Sequence, residues 1–159
     1  MSDQRPQDHK PLRDAFGCFA TGVTIVTSFD AHGNPVGFTA NSFTSVSLDP
    51  PLLLVCPGKH TRSLPIIRKT GLFGVSVLSA GQRHVADRFA SKHEDRFGEG
   101  EWVESESGVL LLEGACANFA CTLVNDIEAG DHQVLIGQID SFRSAEARHP
   151  LMFLRGAYA

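Results

Sequence analysis

The sequence predicts a mainly β domain, built as a mostly antiparallel barrel or sandwich with a few short helices. Two observations predict this fold class: short runs rich in β-branched and aromatic residues recur along the chain, and turn-forming residues separate them. Only two or three segments show the 3.6-residue period of a helix. With 159 residues, of which 42% are hydrophobic, the chain is long enough for one domain with a buried core.

Turn formers and prolines mark the elements of the first half of the chain. The run DAHGNP at 30–35 predicts a hairpin between two strands. The prolines of 49–51 end the returning strand, because proline cannot donate to a central ladder. Leu12, Phe16 and Phe19 share one side of a preceding amphipathic helix. The expected elements are a helix over 11–20, a strand over 23–29, a strand over 36–48 and an apolar strand over 52–56.

The second half predicts two more short helices and several further β segments. Ser63 is a candidate N-cap, Pro65 lies in the first turn of the next helix, and Gly71 ends that helix. Phe97 and Trp102 are the expected anchors of a charged loop. The expected elements are a helix over 64–70, a strand over 72–78, a helix over 80–89, a loop over 91–108, strands over 109–118, 120–128 and 132–143, and a short apolar segment over 151–158.

Charge and hydropathy argue against several classes of partner. The formal net charge of -4 disfavours nucleic acid and anionic membrane surfaces. No apolar run is long enough to span a bilayer. Residues 1–11 are polar, lack the apolar middle of a secretory signal and are expected to form a flexible tail. We therefore expect a single domain over 12–159 and a cytoplasmic location.

The most informative stretch runs from Gly37 to Cys56, because a strand expected to face a core carries several hydroxyls and an amide. A buried hydroxyl or amide without a partner costs roughly 1–3 kcal/mol. The stretch implies either water at a hydrated barrel rim or a large ligand rich in hydrogen-bonding atoms. Strand alternation places small and polar side chains on one face, where a flat aromatic ring could lie. That face carries Gly37, Thr39, Asn41, Ser45 and Ser47, with Phe43 as its one large member.

A second candidate segment, Gly58 to Ser63, immediately precedes a helix. The start of a helix offers unpaired N–H groups and a partial positive charge. Lys59, Thr61, Arg62 and Ser63 add cations and hydroxyl donors, so the segment is a candidate phosphate site. The alternative is a capped helix flanked by solvated basic residues.

A third candidate is the turn Gly130–Asp131–His132, which begins the strand HQVLIGQI. An imidazole can be neutral or charged near neutral pH, and this suits it to both polar recognition and charge neutralisation. The alternative is an ordinary surface histidine at the entry of a strand.

Taken in this order, these segments resemble the flavin reductase-like family, short-chain reductases that bind flavin on a split barrel. The resemblance covers residues 16–158, and its most specific part is the polar strand combined with the GDH turn. The motifs that carry it are FATGVTIVTS (19–28), GFTANSFTSVSLDPPLLLVC (37–56), TRS (61–63), FGVSVL (73–78), ADRF (86–89), GDHQVLIGQI (130–139) and LMFLRGAY (151–158).

The resemblance implies a six-stranded antiparallel split β-barrel of the Greek-key type with a few flanking helices. It also implies a homodimer with flavin near the subunit interface. By position, the residues implied to contact the flavin ring are Thr39, Ala40, Asn41 and Ser42, and those implied along the ring and ribityl chain are Ser45, Val46 and Ser47. Those implied at the ribityl and phosphate end are Cys56, Lys59, Thr61, Arg62 and Ser63. His132 would face the nicotinamide, and Phe89 and Tyr158 would complete the site.

The activity implied by the resemblance is hydride transfer from nicotinamide C4 of NADH or NADPH to N5 of FMN or FAD. Reduced flavin would then serve a separate flavin-dependent monooxygenase. No G-x-G-x-x-G motif follows a strand, so the doubly wound dinucleotide fingerprint is absent from the sequence. Three alternatives stay open at this point: a non-catalytic flavin-binding protein on the same barrel, an oxidase of the pyridoxamine-phosphate type, and a small-molecule-binding barrel without flavin.

Overall fold

The computed structural model describes residues 8–159, so residues 1–7 of the predicted tail lie outside the described part. Short 3-10 turns at Ala80–Gln82 and Arg96–Gly98 accompany the elements below. The helices are α1 (Lys10–Phe16), α2 (Ser63–Thr70) and α3 (Arg83–Ala90). The strands are β1 (Thr21–Gly22), β2 (Thr24–Phe29), β3 (Pro35–Ala40), β4 (Thr44–Leu48), β5 (Pro51–Val55), β6 (Leu72–Val77), β7 (Trp102–Glu104), β8 (Leu110–Leu112), β9 (Ala117–Ala129), β10 (His132–Ser144), β11 (Met152–Leu154) and β12 (Ala157–Tyr158).

Seven strands form one antiparallel sheet in the order β3-β2-β6-β9-β10-β5-β4. Its two edge strands, β3 and β4, are consecutive in the chain and are joined by only residues 41–43. Because an extended residue spans at most about 3.5 Å, the two edges must approach each other at this end. The sheet therefore curls into an open barrel split between β3 and β4. The predicted fold class is confirmed.

The prediction of one continuous strand over 36–48 is wrong. The chain leaves the ladder after Ala40, crosses from one edge of the barrel to the other, and re-enters it at Thr44. Because of this break, the alternation of faces predicted along the whole segment does not hold. Ala40 packs against the barrel core, whereas Ser45 on β4 is exposed. The sheet consequently has seven strands rather than six.

The barrel core is closed by helix α2. Leu64 and Ile67 are almost completely buried against Phe73 and Leu135 of the barrel strands. Burying each such side chain contributes roughly 1.5–3 kcal/mol. The predicted stop at Gly71 is confirmed, since this residue has a left-handed φ of 69°. The predicted N-cap is one residue late: the helix starts at Ser63, so the capping position falls on Arg62, which makes no side-chain capping bond.

A second apolar cluster lies under helix α3, and it includes Phe89. The Phe89 ring centroid is 4.9 Å from that of Phe97 and 5.5 Å from that of Trp102, and the latter two are 4.8 Å apart. The predicted role of Phe97 and Trp102 as anchors is confirmed. The trio holds the segment after α3 beside strand β3. None of the helices among residues 8–159 combines the length and apolarity that crossing a membrane requires.

Candidate functional site

A groove of about 1080 Å³ lies where the barrel is split. Four parts of the chain line it: β3 with the residues that follow it, the connection from β5 to α2, the end of α3 with its following loop, and the start of β10. The lining residues lie within 35–42, 56–63 and 89–97, together with His132. Ten residues predicted for the site line this groove: Thr39, Ala40, Asn41, Ser42, Cys56, Thr61, Arg62, Ser63, Phe89 and His132.

Two hydroxyls of the polar segment already have partners inside the protein. The Thr39 hydroxyl donates to the Ala86 carbonyl of α3 at 2.8 Å. The Ser42 hydroxyl accepts from the Cys56 N–H at 2.9 Å and is 3.4 Å from the Cys56 carbonyl. The inference that these hydroxyls need an external ligand is therefore wrong for Thr39 and Ser42. Among residues 8–159, nothing hydrogen-bonds the exposed Asn41 side chain, so its amide is available to a ligand.

The segment from Cys56 to Ser63 forms the second wall of the groove. Burial raises the pKa of the Cys56 thiol, which keeps the thiol protonated at neutral pH. Arg62 is exposed and Ser63 is buried, so only the former offers an accessible side chain. Lys59 lies outside the groove lining, because its ammonium pairs with Glu128. That hydrogen bond from Lys59 lowers the pKa of the Glu128 carboxyl.

His132 lies at the mouth of the groove, with its side chain 52% exposed. The backbone places it there, because Asp131 accepts from the Lys59 N–H at 3.0 Å and Gln133 donates to the Pro57 carbonyl at 2.9 Å. The Asp131 carboxylate is 2.7 Å from Nδ1 of His132. A carboxylate accepts, so this bond requires a proton on Nδ1, and in the corresponding neutral tautomer Nε2 is an acceptor. The hydrogen bond from His132 holds the pKa of the Asp131 carboxyl below its usual range.

Five residues predicted for the site lie outside the groove in this chain. Three belong to the edge strand β4, where the Val46 side chain is 43% exposed. Tyr158 packs near the start of α3, with its ring 5.6 Å from that of Phe153 and 5.1 Å from the Arg83 guanidinium carbon. The five are Ser45, Val46, Ser47, Lys59 and Tyr158.

The sequence reasoning missed the contribution of the loop after α3. Residues 92–97 line the groove, and Arg96 reaches back to the Gly37 carbonyl of β3 at 2.8 Å. One signal in the sequence could have indicated this contribution. Phe97 was expected to anchor the loop, and an anchored aromatic residue also fixes the position of its neighbour Arg96. A charged, glycine-containing loop carries no periodicity, so nothing else in the sequence placed this segment beside β3.

Comparison with known proteins adds to this geometry. The model of the flavin reductase like domain matches residues 16–159 of the chain. The chain belongs to the flavin reductase-like family.

Three similar proteins are informative. A probable flavin reductase of Rhizobium meliloti (strain 1021) is 48% identical over 95% of this chain, which spans about half (48%) of that protein. The reductase subunit of a flavin-dependent monooxygenase of Rhodococcus jostii (strain RHA1) is 41% identical, with 95% of this chain and 77% of that protein covered. The NADH:FAD oxidoreductase of Streptomyces globisporus, solved with NAD and FAD fragments, superposes with a TM-score of 0.91 at 41% identity. That match covers 98% of this chain and 93% of the other.

Proposed function

We propose that this protein is an NAD(P)H-dependent flavin reductase that transfers hydride from nicotinamide C4 to flavin N5. The observation that carries the proposal is the groove at the split of the barrel, in which Asn41, the β5–α2 connection and His132 converge. The name of the Streptomyces relative supports NADH as the donor and FAD as an acceptor. FMN and NADPH are further candidates, because a groove open to solvent could leave the adenylate of FAD and that of the pyridine nucleotide outside.

The residues present fit a flavin. The groove is lined by both polar residues (Asn41, Thr61) and apolar ones (Phe38, Phe89), as an isoalloxazine ring with one polar and one dimethylbenzene edge requires. Asn41 supplies a free amide, and Thr61 and Arg62 supply a hydroxyl and a cation at the start of α2. Bound flavin would supply the two-electron acceptor chemistry, which no side chain provides.

The side chains of this chain orient and enclose their ligands. His132 presents a fixed imidazole at the groove mouth, where Nε2 can accept from a carboxamide or a ribose hydroxyl. The 92–97 loop lines one side of the groove. A groove that held donor and acceptor together would supply much of the expected rate through proximity. No nucleophile is required.

The proposal extends to partners. The Rhodococcus relative is named as the reductase subunit of a monooxygenase, and this supports delivery of reduced flavin to a separate oxygenase.

We also propose a homodimer, because Leu48, Phe19 and Phe142 are 95%, 79% and 73% exposed in the single chain. Light scattering that gives a monomer mass at micromolar concentration would argue against the dimer. The cytoplasm, where NAD(P)H is available, is the proposed location.

Steady-state oxidation of NADH and NADPH, with FMN, FAD and riboflavin offered in turn, tests the function. We expect NADH absorbance to fall only when a flavin is present. Flavin binding without any NAD(P)H oxidation would instead indicate a storage or sensor protein. A protein that leaves flavin fluorescence unchanged would remove the flavin assignment altogether.

Replacing Asn41 by leucine should weaken flavin binding roughly fivefold, which corresponds to the loss of one ordinary hydrogen bond. The measurement is the flavin dissociation constant by fluorescence quenching. Asn125→Leu is the matched control, since Asn125 is an exposed residue of β9 outside the groove. Equal constants for Asn41→Leu and the unmodified protein would exclude Asn41 from the ring site.

Replacing Asp131 by asparagine should lower kcat for NADH roughly threefold, a small effect because the pair is exposed to solvent. An amide can donate to Nδ1 of His132 and so favour the other tautomer. The change should not alter the flavin dissociation constant. A pH–rate profile measured alongside kcat should differ between the two proteins if Asp131 acts through His132, and superimposable profiles would exclude that role.

A further inference from the structure

The tip of the β9–β10 hairpin carries His132 and extends beyond the barrel strand that supports it. The pairing of β10 with β5 ends at Leu135, which lies opposite Val55. Beyond this point, all residues of 124–132 are exposed. An exposed hairpin end with few apolar contacts is among the first parts of a fold to open. The position of His132 therefore depends on what else holds this tip.

Two backbone hydrogen bonds join the tip to the connection between β5 and α2. The Lys59 N–H donates to the Asp131 carbonyl at 3.0 Å, and the Gln133 N–H donates to the Pro57 carbonyl at 2.9 Å. These bonds attach the tip directly to the segment that forms the second wall of the groove.

Two ion pairs on one face of β9 brace the same junction. The Lys59 ammonium pairs with the Glu128 carboxylate. The Arg68 guanidinium of α2 contacts the Asp126 carboxylate through Nε at 2.5 Å and through Nη2 at 3.4 Å. Asp126 and Glu128 are two positions apart, so their side chains lie on the same face of the strand. The pairs therefore link the hairpin tip both to the β5–α2 connection and to α2 itself.

These two cations and two carboxylates form one charge-balanced network. The hydrogen bond from Arg68 lowers the pKa of the Asp126 carboxyl. The hydrogen bond from Lys59 lowers the pKa of the Glu128 carboxyl, and the charge of Arg68 adds to this effect. Both carboxylates are therefore ionised at neutral pH. Exposed ion pairs contribute little to the free energy of unfolding, so the main effect of the network is on geometry.

We propose that this ion-pair network positions His132 at the groove. Its members are Lys59, Arg68, Asp126 and Glu128. By holding the hairpin tip against the wall formed by 58–63, the network sets where the imidazole meets the nicotinamide. The four residues are positioning residues, because in this role they act through His132. The inference rests on the proposed function, in which His132 orients the pyridine nucleotide.

A double-mutant cycle between the network and His132 tests this role. The combined change Asp126→Asn with Glu128→Gln removes both negative charges and keeps the size of both side chains. We expect kcat for NADH oxidation to fall about fivefold, because a displaced orienting group slows the reaction of two bound partners. In the His132→Ala background the same combined change should alter kcat by less than about twofold, since the residue through which it acts is gone.

Variants on the cationic side and outside the groove complete the test. Lys59→Gln should also lower kcat, whereas Lys59→Arg keeps the pair and should stay within about twofold of the unmodified protein. Glu113→Gln is the matched control, because it breaks an exposed ion pair, 2.7 Å from Arg143, that lies outside the groove. Its kinetic constants should not change. The thermal midpoint of every variant is measured in parallel.

An equal fold loss of kcat with and without His132 would overturn the proposal, because the network would then act by another route. Unchanged kcat in the carboxylate variant would also overturn it and leave the ion pairs with a structural role only, whether or not the thermal midpoint falls. A loss of activity confined to Lys59→Gln would overturn it as well and indicate that Lys59 contacts the ligand directly. Failure of the proposed function is separate: it would show as an unmodified protein that does not oxidise NADH with any flavin.

Discussion

Replacing His132 by alanine should lower NADH-dependent turnover by about 10- to 100-fold, the range expected when a reactant loses its correct orientation. His132 lies at the groove mouth and is oriented by Asp131, with 2.7 Å between Nδ1 and the carboxylate. The flavin dissociation constant should change by less than about threefold, because the proposed ring site consists of β3 and the β5–α2 connection. Steady-state kinetics and fluorescence titration on the same protein separate the two effects.

His84→Ala provides the control for this change, since His84 is an exposed residue of α3 outside the groove lining. Its kinetics should match those of the unmodified protein. Turnover and KM that stay the same in His132→Ala would remove His132 from the site. An equal loss of turnover and flavin affinity would instead indicate that His132 shapes the groove as a whole.

Replacing Phe89 by alanine should lower the free energy of unfolding by about 3–5 kcal/mol, as expected for truncation of a buried aromatic ring. Phe89 is 1% exposed and contacts the rings of Phe97 and Trp102. Its ring also lies against β3, because a Cβ added at Gly37 would come within 2.9 Å of Cε1 of Phe89. For a chain of this size, such a loss lowers Tm by about 10 °C.

The same truncation should release the 92–97 loop, since the trio of aromatic rings holds it beside β3. Limited proteolysis should then cut within this loop faster than in the unmodified protein. Phe89→Leu, which keeps most of the apolar volume, should lose clearly less stability than Phe89→Ala. A Tm within about 2 °C of the unmodified protein for Phe89→Ala would contradict the packing described here.

Much of the fold could be predicted from local patterns in the sequence. The predictions that were wrong have identifiable physical causes. The hairpin at 30–35, the end of α2 at Gly71 and the anchors Phe97 and Trp102 follow from turn chemistry, a left-handed glycine and apolar side chains in a charged loop. The single strand over 36–48 was wrong because alternation does not reveal where a chain crosses from one sheet edge to the other. That crossing depends on a partner far along the chain, the Cys56 backbone that bonds Ser42.

The features of the candidate site also fall into those that the sequence could predict and those that it could not. His132 and the residues of 39–42 and 61–63 could be named from motifs, because short segments of sequence carry them. The sequence could not show that the Thr39 hydroxyl already has a hydrogen-bond partner inside the protein, since that partner is the Ala86 carbonyl, 47 positions later. Nor could the sequence show that Lys59 forms an ion pair with Glu128, because the two residues are far apart in the chain.

Residue patterns alone were sufficient for the mainly β class, the order of most elements and the motifs of the flavin reductase-like family, because each depends on neighbours a few positions apart. Three-dimensional contacts were needed to show which polar groups are free for a ligand and which are used internally. They also brought Arg96 to the groove through the Gly37 carbonyl, 59 positions away in the chain. Hydrogen bonds and charges act through space, and periodicity along a chain does not report the distances that closure of a barrel creates.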